Sequence, residues 1–345
     1  MEYWIWLSLL KGIGPIIAKR LLAVFHNPEN IFNADVEQLM NVQGIGVKTA
    51  KIITENKSLS ESIRIYESTL KENIKILTCN NLAYESIAFN YNEMPIMLYY
   101  KGNVLNKPGV AIVGSRRCSS YGKKVVVEAA EFLASKDICV VSGMAKGIDG
   151  YAHTACINAG GYTIAFLGNG LDICYPKEHD KLMESIIESG IVISEYAPGV
   201  KARPEHFSRR NYLICSWSEK VLIVEASENS GALITANIAK NQGKKIIAVP
   251  SDIYSATGKG TNNLIYNGAE IYLNPRQLLV SEDVCCINDF LKNNIEDKSD
   301  ECEDKNYKSK NTNSLNKRNL NEIETKIMSC LKDEEKIIDE ISIAI

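Results

Sequence analysis

Residues 109–122 read GVAIVGSRRCSSYG. A short apolar run, partly β-branched, meets Gly114, as a buried strand does on entering a tight turn. The turn then departs from the dinucleotide pattern. A pyrophosphate loop of the G-x-G-x-x-G type is mostly bare backbone. Here Gly114 is followed by Ser115, Arg116 and Arg117, and the next glycine is Gly122. The stretch predicts a Rossmann-like strand and turn that presents two guanidinium groups to its ligand.

The same texture recurs downstream. Apolar runs VAIVG (110–114), ICVVSG (138–143), YTIAFLG (162–168), IVISE (191–195), VLIVEA (221–226) and KIIAVP (245–250) alternate with helical stretches. Runs that are apolar on both faces suit a parallel sheet covered by helices on each side. IKILTC and PIMLYYKG, just upstream, also read as strands. Residues 76–282 are therefore expected to form one doubly wound α/β domain.

Upstream lies an internal repeat. LLKGIGPIIAKRLL (9–22) and NVQGIGVKTAKII (41–53) superimpose with a shift of 32, matching Gly12 to Gly44, Gly14 to Gly46 and Ala18 to Ala50. Each copy reads as helix, G-I-G hairpin, helix, so residues 1–75 look like a tandem helix-hairpin-helix domain. Such hairpins can hold a DNA phosphate on their amides. They can equally serve as packing devices, and Pro15 removes one donor from the first copy. Residues 283–318 are polar and charged and read as a flexible linker. Residues 319–345 regain helical periodicity; they read as the start of a winged-helix-like domain, truncated, or as a lone amphipathic tail.

Composition is that of an ordinary globular protein, 45 % apolar and 23 % charged, with a net charge of −3. The total charge announces no nucleic acid, so any such partner must be met by a local patch. No run is long enough to span a bilayer and no basic leader opens the chain, so cytoplasm is the expected location. The ten cysteines include no C-x-x-C pair, and the four histidines form no ligand spacing. Reduced thiols, no metal and no cofactor are expected.

In a doubly wound sheet the ligand lies off the carboxyl ends of the strands. The loops there hold Arg116, Arg117, Lys146, Lys177, Arg203, Arg209 and Arg210, with glycine, serine and asparagine between them. Ser230 opens a helix whose N-terminus favours an anion. The second strand ends in Ser142-Gly143 and lacks the acid that a nicotinamide ribose needs. No P-loop is present and no nucleophile has a base beside it. Asp149, Glu195 and Glu225 lie near strand ends, where a helix cap or a hydrogen-bond partner is the commoner role. Several phosphate-sized cradles with several arginines suit a run of phosphodiesters. Tyr121, Tyr175, Phe207 and Tyr212 are placed to stack unpaired bases, Phe207 first among them because Ser208-Arg209-Arg210 follow it.

Many short motifs, in order, resemble the DprA/Smf family of DNA-processing proteins. They are VGSR (113–116), YG (121–122), SGMAKGID (142–149), AH (152–153), GLDICYP (170–176), ISE (193–195), F-x-x-RN (207–211), VEA (224–226), SGALITA (230–236), GTNNLI (260–265) and GA (268–269). The resemblance implies an extended Rossmann-like domain that grips the backbone of single-stranded DNA. It also implies a homodimer that contacts RecA, loads it onto that DNA and displaces single-strand binding protein. It carries phosphate binding onto Gly114, Ser115, Arg116, Gly143, Lys146, Arg210, Asn211, Ser230 and Gly231, and more weakly onto Lys177. Where the family often has Arg-Asn-Arg, this chain has Arg210-Asn211-Tyr212; Arg209 stands on the other side as a compensating cation. Two other readings stay open. One is a Rossmann-like phosphoribohydrolase, although NSGALITA lacks the glycine run and acid of its loop. The other is a module that senses a mononucleotide.

Overall fold

The computed structural model describes residues 1–280. The expected linker at 283–318 and winged-helix-like segment at 319–345 lie outside the described residues.

Nine strands form one sheet. They are β1 (Lys75–Thr78), β2 (Met97–Gly102), β3 (Gly109–Val113), β4 (Cys139–Ser142), β5 (Thr163–Leu167), β6 (Ile191–Ser194), β7 (Lys220–Ile223), β8 (Lys245–Ala248) and β9 (Glu270–Ile271). Their order across the sheet is β1-β2-β6-β5-β4-β3-β7-β8-β9. β3 through β9 pair in parallel, as their apolar runs predict. β2 departs from that rule: it runs antiparallel to both β1 and β6. From β3 the chain winds outward one way through β4, β5 and β6, then returns to β3's other side and winds through β7 and β8. The order therefore reverses between β3 and β7, which makes their carboxyl ends the crevice of the fold.

Alternation along the strands divides the core. Val110 and Ile112 of β3, Val140 of β4 and Leu222 of β7 pack on one face, against Val126, Ala130 and Leu133 of the helix Ser120–Ser135 and Ile148 and Ala152 of the helix Ile148–Asn158. Ala111, Val113, Val141, Val221 and Ile223 point the other way. Both sets are buried, so each strand reads as a continuous apolar run.

The 32-residue repeat folds as two matching hairpins. Gly12 and Gly44 take left-handed φ values of +87° and +83°, which glycine adopts without a Cβ clash. Ile13 N–H donates to Leu10 O at 3.1 Å, and Ile45 N–H to Val42 O at 3.0 Å. Gly14 and Gly46 then cap the helices Pro15–Phe25 and Val47–Glu55, and Ala18 and Ala50 are buried beneath them. The compact unit runs Met1–Glu282. Ile5, Leu21, Leu39 and Ile53 of the helical segment lie in one apolar core with Leu98 of β2 and Ile193 of β6. Lys19, itself buried, reinforces this join by donating to the carbonyls of Ala88, Tyr91 (2.9 Å) and Asn92 (3.4 Å). The boundary near residue 75 thus separates two parts of one core. Among the described residues no helix is long and apolar enough to cross a membrane, and six cysteines there are free thiols.

Candidate nucleic-acid interface

A cleft of about 700 Å³ opens at the carboxyl ends of β3 and β7. Its floor begins at Gly114. A Cβ there would stand 2.7 Å from Ile148 Cγ1 and 3.2 Å from Glu225 N, so the turn passes only as glycine. The Ser115 hydroxyl then closes the turn on itself. It donates to Arg117 O (2.9 Å) and accepts from Arg117 N–H (3.1 Å), which leaves the Arg116 side chain exposed at the mouth. Glu225, at the end of β7, accepts from the backbone and hydroxyl of Ser119, and Ser119 caps the next helix through Gly122 N–H (3.1 Å). That carboxylate is a structural tie.

The second wall comes from the helix Pro204–Ser216. Arg210 is only 6 % exposed. Its Nη1 donates to Gly143 O and to Phe166 O (3.1 Å), and its Nε to Asn211 Oδ1 (3.1 Å). A Cβ on Gly143 would fall on the guanidinium itself. The bond to Arg210 engages the Asn211 oxygen, which leaves its amide NH₂ as a donor group on the cleft wall. Asp149 is buried beside it and accepts from Gly143 N–H (3.2 Å) and Ala145 N–H (3.4 Å). Burial pushes the Asp149 carboxyl above its usual range, while Arg210 and the two amides pull it back. Burial pushes Arg210 down, and Asp149 opposes that. The two groups share a low-dielectric site without touching, and each favours the charged form of the other.

Phe207 packs amid charge. Its ring centroid lies 5.5 Å from the Arg116 guanidinium carbon, 5.7 Å from that of Arg210 and 5.7 Å from the Tyr175 ring. It is half-buried, whereas Tyr175 is exposed. On the opposite side Ser230 accepts from Ala232 N–H (3.3 Å) and caps the helix Gly231–Asn241. Nothing lies within 4 Å of where a Cβ of Gly231 would be, so this helix end faces open space.

The structure brings Gly114, Ser115, Arg116, Phe207, Arg210, Asn211, Ser230 and Gly231 together around the cleft. Four other expected residues stand elsewhere. Gly143 lies behind Arg210. Lys146 is bonded to Glu178. Lys177 is exposed on the 3₁₀ turn Lys177–His179, outside the lining. Arg209 turns away to Glu195 (2.8 Å) and Glu93 (3.5 Å), over the Tyr212 ring at 5.5 Å. Consecutive helical residues point about 100° apart, so Arg209 cannot share Arg210's face and does not replace the cation missing at Tyr212. The sequence reading overlooked Ile234 and Thr235, which line the cleft one turn beyond Gly231. Their i+3 and i+4 spacing from that glycine was the available signal.

A family model described as DNA recombination-mediator protein A matches residues 75–282. The chain belongs to that family, DprA/Smf. A SAM-like tandem helix-hairpin-helix model matches residues 7–55. Protein Smf of Synechocystis is 35 % identical over 285 residues, 81 % of this chain and 72 % of that protein. DprA of Streptococcus pneumoniae is 40 % identical over 189 residues, 54 % of this chain and 67 % of that protein. A crystal structure of the pneumococcal protein superimposes with a TM-score of 0.67 at 30 % identity, covering 80 % of this chain and 96 % of that one. A Helicobacter pylori DprA structure, described for its single-stranded DNA binding mode, gives a TM-score of 0.53 at 28 % identity, covering 64 % and 96 %.

Proposed function

We propose that this recombination mediator binds single-stranded DNA in the cleft, without an enzymatic step, and delivers the strand to RecA in the cytoplasm. The observation that carries the reading is the exposed guanidinium of Arg116 at the mouth of a cleft whose opposite side is the open N-terminus of the helix Gly231–Asn241. Phosphodiesters of the strand meet Arg116, the Asn211 amide and the helix end at Ser230-Gly231. Arg210, spent on two carbonyls, positions the wall from beneath. An unpaired base stacks on Tyr175, whose ring is exposed where Phe207 is already packed against two guanidinium groups and Tyr175 itself. The ties that occupy Asp149 and Glu225 favour this reading over a nucleotide hydrolase, which needs a carboxylate free to act.

The reading includes a homodimer, and displacement of single-strand binding protein as RecA is loaded. Apolar exposure around the β9 edge supports self-association: Tyr266 is 90 % and Leu273 71 % exposed.

Arg116→Ala should weaken binding to oligo-dT by about 1.5–3 kcal/mol through loss of a charge-assisted contact. Fluorescence anisotropy at two salt concentrations measures it. Unchanged affinity in a folded variant would overturn the assignment. Affinity for thymidine monophosphate equal to that for oligo-dT would favour the mononucleotide sensor, and release of free base from nucleotides the hydrolase. RecA filament formation on coated DNA tests delivery.

A further inference from the structure

The loops around the cleft hold cations that are already matched. Arg203 lies 4.0 Å from Glu205, Arg209 is held by Glu195 and Glu93, and Lys146 by Glu178. Arg116 and Arg117 have no carboxylate partner among the described residues. The Arg209–Glu195 pair is largely withdrawn from water. Two of these pairs lie in water. Arg203–Glu205 is 68 % and 66 % exposed, but only at the 4.0 Å edge of an ion pair and two residues apart on one segment. Lys146–Glu178, at 56 % and 52 % exposed, is in direct contact and joins two separate loops.

Its position is also particular. Lys146 stands on the loop that packs on the Arg116 turn: Ile148 N–H donates to Ser115 O at 3.2 Å, and a Cβ on Gly147 would come 2.3 Å from the same oxygen. Glu178 stands on the turn Lys177–His179, three residues beyond Tyr175 of the cleft wall. His179 Nδ1 bonds Met144 O at 3.0 Å, so that turn is pinned to the loop that carries Lys146. Both partners are therefore carried by backbone tied to the cleft, while their side-chain ends are free to move in water.

We infer that Glu178 is a displaceable mask: it holds Lys146 in the free protein, and a phosphodiester of the bound strand takes its place. The inference rests on the proposal that the cleft binds single-stranded DNA. An exposed ion pair of this kind contributes at most about a factor of five, so the exchange is easy for a phosphate already tethered nearby. A strand anchored at Arg116 presents its next phosphate at high effective concentration. A mononucleotide, with one phosphate spent at Arg116, has none to offer. The pair thereby gives preference to chains of phosphates over single ones, and Lys146 becomes a second contact of the same strand.

The test is a cycle of Glu178→Gln, Lys146→Ala and the double variant, titrated with oligo-dT and with thymidine monophosphate. Glu178→Gln should tighten oligo-dT about three- to fivefold, and Lys146→Ala should weaken it. In the Lys146→Ala background the Glu178 change should do nothing, and the monophosphate should respond to neither. A gain that persists without Lys146 would overturn the inference, since it would reflect removal of a repelling charge alone. So would no gain from Glu178→Gln. Failure of the wild-type protein to bind oligo-dT would instead overturn the underlying reading of the cleft.

Discussion

Asp149 and Arg210 lie nearly sealed from water beneath the cleft, each satisfied by backbone groups: Asp149 by two amides, Arg210 by two carbonyls. Asp149 accepts from two backbone N–H groups there, and leaving buried donors unpaired costs about 1–3 kcal/mol. Asp149→Ala should therefore lower unfolding stability by that amount in urea titrations. It should also loosen the loop through Gly143 and Ala145, whose amides lose their acceptor. Asp149→Asn keeps one acceptor oxygen and should cost less. The residue types here were readable from sequence, and their duties only in part. Arg209 and Arg210 are neighbours with the same side chain. One turns to carboxylates contributed by Glu93 and Glu195, the other to carbonyls of Gly143 and Phe166. No local pattern encodes partners that tertiary packing delivers from so far along the chain. Gly114 was legible as a turn glycine, whereas the need for Gly143 arises only because Arg210 fills its space.

At the level of elements, the two G-I-G hairpins assign different work to glycines two positions apart. Gly44 sits at φ +83°, and a Cβ there would also meet the Arg20 guanidinium. Gly46 is extended (φ −93°, ψ 173°), with open space around it and no side chain to cap its helix. Gly44→Ala should cost about 1 kcal/mol or more, while Gly46→Ser should gain a few tenths by supplying the missing cap. Thermal denaturation of the two variants separates them. The hairpins and the apolar strand runs were legible because each is a local pattern: a repeat of glycines, or a short β-branched run bounded by turns. The direction of β2 was not, since MLYYKG reads the same whichever way it pairs. Its antiparallel course is set by β1 on one side and by β6 on the other.

For the molecule as a whole, the exposed apolar groups beside the β9 edge predict association. Leu273→Glu should shift the protein toward monomer in light scattering coupled to size exclusion, with its thermal stability nearly unchanged, because the side chain is largely in water. The placement of β2 has a further outcome, in the order of synthesis. Gly102 pairs with Ile191, and Tyr99 with Ser194. The helical segment and β2 therefore leave the ribosome roughly ninety residues before the strand that must receive them, a delay of about 5–20 s at ordinary elongation rates. For that interval Leu98 and the apolar side of the first helices have no sheet to cover them. Nascent chains paused before residue 191 should be more open to chaperones and proteases than chains paused just after it is free of the exit tunnel.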